Sequence, residues 1–490
     1  MPPRVALHWF RRDLRLADNT ALTAACREFD FVVPVFVFDP RLLKGHDTGA
    51  PRVAFLLDAL EVLEQSLAKR GIPLVIRTGD PSEIVVTLAK ESGAEAVFVN
   101  RDYSPFALRR DTAVEESLRA AGVRWSDHPD LLLTEPSECL KGDGTPYTVF
   151  TPYSRKWREI PKCEPERRAN LASVEIPRSR RITAGTLPSL ADLGFRLEAS
   201  IPSGGEPAAM RRLRRFASLR LERYAENRDL PALDGTSGLS ADLKFGTISP
   251  RQVFAAVTSF VGPERIGFDP KRPPQGLSRD HADRLTNGGT FASELCWRDF
   301  YFAILFHFPR VARGAFRENY ARLEWPERRA EIREAWVEGR TGFPIIDAGM
   351  RQLAQTGWMH NRLRMLTACF LTKTLLVDWR FGEKIFRQRL VDGELASNNG
   401  GWQWSASTGT DAQPYFRIFN PTAQSKRYDP EGEYIRRWVP ELRDVPAPLI
   451  HEPSGDPATL KKTGYPAPCV DYSAKRKEAL DLLGSSSSSR

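Results

Sequence analysis

The sequence predicts an α/β domain built on a doubly wound parallel sheet, followed by an all-helical domain. Three observations predict it. Short apolar runs alternate with amphipathic stretches over residues 1–133, and after residue 206 the pattern turns helical almost throughout. Between them, residues 134–205 are rich in Pro, Ser, Gly and Arg with little sustained periodicity. A chain of 490 residues also exceeds what one core usually holds, which fits two domains.

In the first segment RVALHWF, FVVPVFVF at 31–38, PLVIR at 73–77 and AVFVN at 96–100 read as buried strands. Helix-like stretches separate them; in 51–71, Val53, Leu56, Leu57, Leu60, Leu63 and Leu67 recur at helical spacing. Such sheets bind ligands beyond the carboxyl ends of their strands, yet no GxGxxG follows the first strand, so ordinary dinucleotide binding is not supported. Residues 134–205, with KGDGTPYTVFTPYS and EIPRSRRITAGTLPS, read as a long wrapping linker. The helical domain spans 206–483, opening with EPAAMRRLRRFASLRLERYAE and punctuated at PRQVF, TGFP and VDGE. The tail 484–490, GSSSSSR, is of low complexity and is expected to be disordered.

Composition narrows the function classes. Hydrophobic residues make up 41% and charged residues 27%, and no apolar run approaches the roughly 20 residues of a membrane-spanning helix. The N-terminus, MPPRVALHWF, has none of the parts of a secretory signal, so a cytoplasmic location is expected. The six cysteines form no CxxC pair and no cluster with the seven histidines, so neither a metal nor a disulfide scaffold is expected. A net charge of +9 suits a polyanionic partner and equally a solvated basic surface.

Four segments carry chemistry. Glu294, Trp297 and Arg298 in FASELCWRDF share one helical face, where they suit a flat hydrogen-bonding ligand or else an ion pair beside a core Trp. In TGWMHNRLRM, Asn361 and Met365 lie one turn apart with Arg362 and Arg364 beside them; a pocket and a basic helix with Met in the core are both open. VDGELASNNGGWQWSASTGTDAQPYFRIFNP at 391–421 reads as a long ordered loop, because its Asn, Gly, Ser and Thr do not sustain a helix, and a buried polar loop needs a ligand or hydrogen-bond partners. In DGTSGLSADLKFGTIS, Thr236 to Ser240 precede a helix and suit a diphosphate or a plain N-cap. Eight of the 11 tryptophans fall in the helical half.

TSGLSADLKFG, SELCWRDFY, GFPIIDAGMRQL, TGWMHNRLRM and NNGGWQWSASTGTDAQPYFRIFNP, in this order, resemble the photolyase and cryptochrome family over nearly the whole chain. The resemblance implies an N-terminal antenna domain and a helical domain holding folded FAD. By the family pattern Tyr224, Thr236, Ser237, Gly238, Leu239 and Ser240 would hold the phosphates and sugar. Arg364, Asp392, Gly393 and Glu394 would surround the isoalloxazine and Asn398 would face N5. The family usually has Asp where this chain has Glu394, an extra methylene that shifts one hydrogen bond. Asn398, Asn361 and Met365 are similar to the repair enzymes of class I, which act on cyclobutane pyrimidine dimers, with a six-four photolyase or a blue-light cryptochrome as alternatives.

In the mechanism the resemblance implies, excited FADH⁻ lends an electron to a dimer flipped out of UV-damaged DNA, the ring bonds split and the electron returns. Glu294 and Asn361 would stabilise the dimer radical anion, with Met365 and Trp297 in apolar contact. Trp404 would line the pocket, and Arg228, Arg298, Arg362, Gln424 and Arg427 would meet the DNA or the site rim. Trp402, Trp379 and Trp325 match the family's electron relay, with Trp336 an alternative to Trp325. Arg52, Asp102 and Lys244 look more like the 8-hydroxy-deazaflavin subgroup than the methenyltetrahydrofolate one, although each suits a surface ion pair equally. A monomer acting on DNA in the cytoplasm, associated with the nucleoid, is the expected setting.

Overall fold

The apolar runs that open the chain become strands because both of their faces are covered, so they need no polar alternation. The computed structural model describes residues 3–166, 171–174, 182–262 and 277–488. Strands β1 (Val5–Phe10), β2 (Phe31–Phe38), β3 (Val75–Thr78), β4 (Ala96–Asn100) and β5 (Arg124–His128) form one parallel sheet in the order β3-β2-β1-β4-β5. Register runs from Val5 opposite Phe31 to Phe10 opposite Phe36. The strand order reverses between β1 and β4, which makes their carboxyl ends the switch point. Strand β5, RWSDH, is absent from the sequence reading because this edge strand is polar and half exposed.

Helices α1 (Thr20–Glu28), α2 (Ala50–Ala68), α3 (Pro81–Ser92) and α4 (Pro105–Ala120) connect the strands. Their ends are chemically marked. Asp80 accepts from the Ser82 amide at the start of α3, Pro81 fills its first position, and Gly93 ends it with a left-handed backbone, φ 68°. The stretch read as a linker contains a further helix, α5 (Phe150–Glu159). Pro152 is tolerated in its first turn, and buried Tyr153 and Trp157 anchor it. Then come α6 (Glu206–Leu219), α7 (Ser240–Phe245), α8 (Pro250–Val261) and the 29-residue α9 (Arg279–His307).

These elements form a first unit of Met1–Leu197, Pro202–Glu222 and Ser237–Pro309. The composition boundaries at 133 and 206 fall elsewhere, because a buried ion network ties distant segments of this unit together. Arg251 bonds Asp18 at 3.1 Å and Asp130 at 2.7 Å, and Arg15 reaches the same Asp130 oxygen at 2.6 Å.

The second unit, Glu198–Ile201, Arg223–Thr236 and Arg310–Arg490, is helical. Its principal elements are α10 (Ala330–Glu338), α11 (Pro344–Thr356), α12 (Asn361–Cys369), α13 (Trp379–Arg389), α14 (Leu395–Ser405), α15 (Pro421–Tyr428), α16 (Glu433–Trp438) and α17 (Tyr472–Ser488). Trp336, Leu363, Leu371, Trp379, Phe386, Trp402 and Tyr434 belong to one core. The low-complexity tail departs from its expectation: α17, anchored by fully buried Ala479 and Leu483, carries the serine run in helix to Ser488, and residues 489–490 lie outside the described residues. Among the described residues no helix is long and apolar enough to cross a membrane, and no group of three or more His, Cys, Asp or Glu is arranged to hold a metal.

Candidate functional site

Helix α12 organises the second unit's polar cluster. His360 caps it, its Nδ1 accepting from the Arg362 amide at 3.1 Å. Burial holds the His360 imidazole down at about 4, with Arg362 and Arg364 adding to the effect and Asp229 opposing it. One turn into the helix, Asn361 Nδ2 lies 3.9 Å from Met365 Sδ. Arg364 makes a two-pronged bond to Asp392, at 3.1 and 2.8 Å, and donates through Nε to the Met359 carbonyl at 2.8 Å. With both ends fixed, the guanidinium is pre-set for one orientation.

The segment read as a loop is helix α14 from Leu395 to Ser405. Packing overrides its poor propensity. Asn398 donates to the Glu383 carbonyl and Asn399 to the Glu383 carboxylate, each at 3.2 Å, while Gln403 Nε2 donates to Asn399, Val311 and Gly314 oxygens at 2.9 to 3.1 Å. Trp402, on the same helix, meets Phe386 edge-on at 4.9 Å and Trp336 at 6.0 Å. Its close approach to α13 depends on Gly382, where a Cβ would fall 2.1 Å from the Trp402 ring. Glu394 sits buried at the N-cap of α14 without a side-chain capping bond.

The three relay candidates are all buried, Trp325 the most accessible of them at 7%. Trp379 opens α13 with the Arg380 guanidinium 4.9 Å from its ring. The indole in contact with Trp402 is Trp336, whereas Trp325 makes no ring contact among the described residues. Arg362 and Arg427 gather on Tyr428: the guanidinium groups lie 4.5 and 5.2 Å from its ring, and Arg362 pairs with Asp229 at 2.7 Å. Tyr428 was missed by the sequence reading, although an aromatic beside Lys426 and Arg427 was the available signal. Gln424 and Trp404 are half-buried on α15 and α14. Tyr224 is buried with the Arg228 guanidinium 5.5 Å from its ring.

In the first unit, α9 presents Glu294 and Trp297 half-buried, as its spacing requires. Trp297 stacks on Phe150 with ring centres 3.5 Å apart and planes 5° from parallel. The Arg298 guanidinium donates to the Leu131 carbonyl at 2.6 Å and the Leu243 carbonyl at 3.3 Å and lies over Phe302, so it also fastens segments of the fold. Neighbouring Asp299 was not singled out by sequence. Its carboxylate accepts from the Leu133 and Thr134 amides and from Trp157 Nε1, and burial pushes it up to about 6 against those bonds and the Arg298 charge. Thr236 ends one strip of the second unit, and Ser237 to Ser240 begin a strip of the first. Gly238 takes a left-handed φ of 66° with open space at its missing Cβ, and the Leu239 amide donates to Ser237 Oγ at 3.4 Å.

At the switch point Arg12 links two of the antenna candidates, donating to the Lys244 carbonyl at 3.1 Å and pairing with Asp102 at 3.4 Å. Burial raises the Asp102 carboxyl, but Arg12, Arg110, the Ser104 amide and Arg11 more than offset this and hold it at about 2. Arg52 is buried and donates to the Asp47 carbonyl.

Two family models match the chain: DNA photolyase over residues 6–172, and the FAD binding domain of DNA photolyase over residues 291–485. A deoxyribodipyrimidine photo-lyase of Synechococcus is 41% identical over 96% of this chain and 95% of its own. Among solved structures, a bacterial class III photolyase from Agrobacterium tumefaciens superposes with a TM-score of 0.87 at 36% identity, covering 99% of this chain and 98% of its own. A Synechocystis cryptochrome does so with a TM-score of 0.85 at 27% identity, covering 98% and 99%.

Proposed function

The chain belongs to the DNA photolyase family, and from that membership we propose that it is a light-dependent deoxyribodipyrimidine photo-lyase of the class I type, repairing cyclobutane pyrimidine dimers in DNA with reduced FAD. The relatives span more than one subclass, so the lesion assignment rests on residues. The observation that carries it is the Asn361 and Met365 contact on the first turns of α12, beside the Arg364 and Asp392 pair.

The residues fit a flavin. Guanidinium donors on Arg364, the Asp392 carboxylate and the amide of Asn398 supply the mixed donors and acceptors that a flat heteroaromatic ring requires, with Gly393 and Glu394 alongside. Tyr224 and the Thr236 to Ser240 turn would hold the phosphates, the open space at Gly238 giving access to the turn's backbone. When bound, the reduced flavin supplies the photoexcited electron that opens the cyclobutane ring.

The chain's own task is placement. Glu294 would hydrogen-bond the extrahelical pyrimidines and, with Asn361, stabilise their added negative charge. Met365, Trp297 and Trp404 would give apolar contact and exclude water. Arg228, Arg362, Gln424 and Arg427 would hold phosphates at the rim, where two of the guanidinium groups lie against the Tyr428 ring. Trp402, Trp379 and Trp325 would serve as the reducing relay. An 8-hydroxy-deazaflavin antenna at Arg52, Asp102 and Lys244 is part of the same reading; the guanidinium-rich strand ends, where Arg11 and Arg110 flank Trp9, suit a planar anion.

The test is repair of a defined thymine dimer in an oligonucleotide by the reduced protein under blue light, against a dark control. Light-dependent restoration is expected, and Glu294→Ala should lower the yield per absorbed photon with FAD retained. Absence of repair by a flavin-loaded, photoreducible protein would pass the assignment to the six-four lesion and then to cryptochrome signalling.

A further inference from the structure

Resting on the reading that Trp297 meets the lesion, we propose that Phe150 is a positioning residue that holds the Trp297 indole in one orientation, committing one of its faces to the protein and leaving the other to the extrahelical pyrimidines. The ring geometry is the first support. Aromatic pairs favour offset or edge-on arrangements, so near-parallel rings with centres 3.5 Å apart must be held by their surroundings.

The docking of α5 on α9 supplies that hold. Trp157 lies two turns along α5 from Phe150, hence on the same face, and its Nε1 donates to the buried Asp299 carboxylate at 2.9 Å, two residues beyond Trp297. Between them Tyr153 packs on Phe300 at 5.1 Å, and Arg158 donates to Ser293 at 3.0 Å. Helix α5 is therefore clamped to α9 along its length, with Phe150 at the leading end. The stack lies near solvent: Val149 is 45% exposed and both stacked rings are half-buried. A stack that only filled the core would have no reason to sit there. Tyr301 tilts against Trp297 at 5.6 Å and narrows the indole's freedom further.

The test is dark binding of the flavin-loaded protein to an oligonucleotide carrying one thymine dimer and to its undamaged counterpart. Phe150→Leu should weaken dimer binding about five-fold, the scale of one lost aromatic pair, with undamaged binding and flavin absorbance unchanged. Phe150→Tyr should restore the dimer affinity. In a Trp297→Leu background, Phe150→Leu should have no further effect, because the residue it positions is gone. Wild-type dimer affinity in Phe150→Leu, an equal loss on both DNAs, simple addition of the two losses, or loss of flavin would each overturn the proposal. If Trp297→Leu weakens dimer binding while Phe150→Leu does not, this inference alone fails. If Trp297→Leu binds the dimer as well as the wild type does, the reading of Trp297 fails as well.

Discussion

At the scale of single residues, Trp402 is the proposed relay member whose surroundings are best defined. It is buried against Phe386 and Trp336, so Phe can take its place with little repacking while removing the oxidisable indole. Trp402→Phe is expected to abolish photoreduction of the flavin and to spare repair once the flavin is reduced chemically; transient absorption and the repair assay separate the two. His360 makes a pH prediction. Its folded value of about 4 lies below the ordinary 6.5, so the unfolded chain takes up the proton first. The stability it contributes is complete above pH 6.5 and is lost as pH falls towards 4, by about 3 kcal/mol. His360→Asn keeps a capping acceptor, and its melting temperature should fall less steeply than the wild type's between those pH values. Helical spacing alone put Glu294 and Trp297 on one face and joined Asn361 to Met365. It gave no sign that Arg298 is spent on the Leu131 and Leu243 carbonyls, since such partners lie far off in sequence.

At the scale of elements, α14 shows where local reading fails. LASNNGGWQWS is a weak helix former, yet Asn399, Gln403 and Trp402 find partners on Glu383, Val311, Gly314 and Phe386 that no sequence window contains. Gly382 is the counterpart on α13. A methyl group there would meet the Trp402 ring at 2.1 Å and Leu371 at 2.5 Å, so Gly382→Ala should cost about 2 kcal/mol, read from the urea midpoint. Photoreduction should slow in the same variant as the indole is pushed aside. Strands β1 and β2 were legible because burial on both faces leaves an unbroken apolar run, whereas β5 was not, because an edge needs no such run.

At the scale of the whole molecule, the two fold classes were legible and the partition was not, because residues 237–309 read as helical yet belong with the sheet. The net charge of +9 gives the remaining prediction. Each phosphate neutralised should add about −0.9 to the slope of log affinity against log salt, so Arg427→Ala and Arg362→Ala should each make that slope shallower by about one. Affinities for damaged and undamaged DNA should then fall together, in contrast with the selective loss expected from Glu294 or Trp297.

The ion network of Asp18, Asp130, Arg15 and Arg251 bears on how the chain is made. On a ribosome the sheet's residues emerge long before Arg251, and at ordinary elongation rates the delay from Asp130 to Arg251 is roughly ten seconds. During that interval Asp130 has Arg15 as its partner, while the Asp18 carboxylate still lacks the Arg251 guanidinium and the Ser249 hydroxyl that will meet it. The nascent sheet is therefore a natural client for holding chaperones until its third strip arrives.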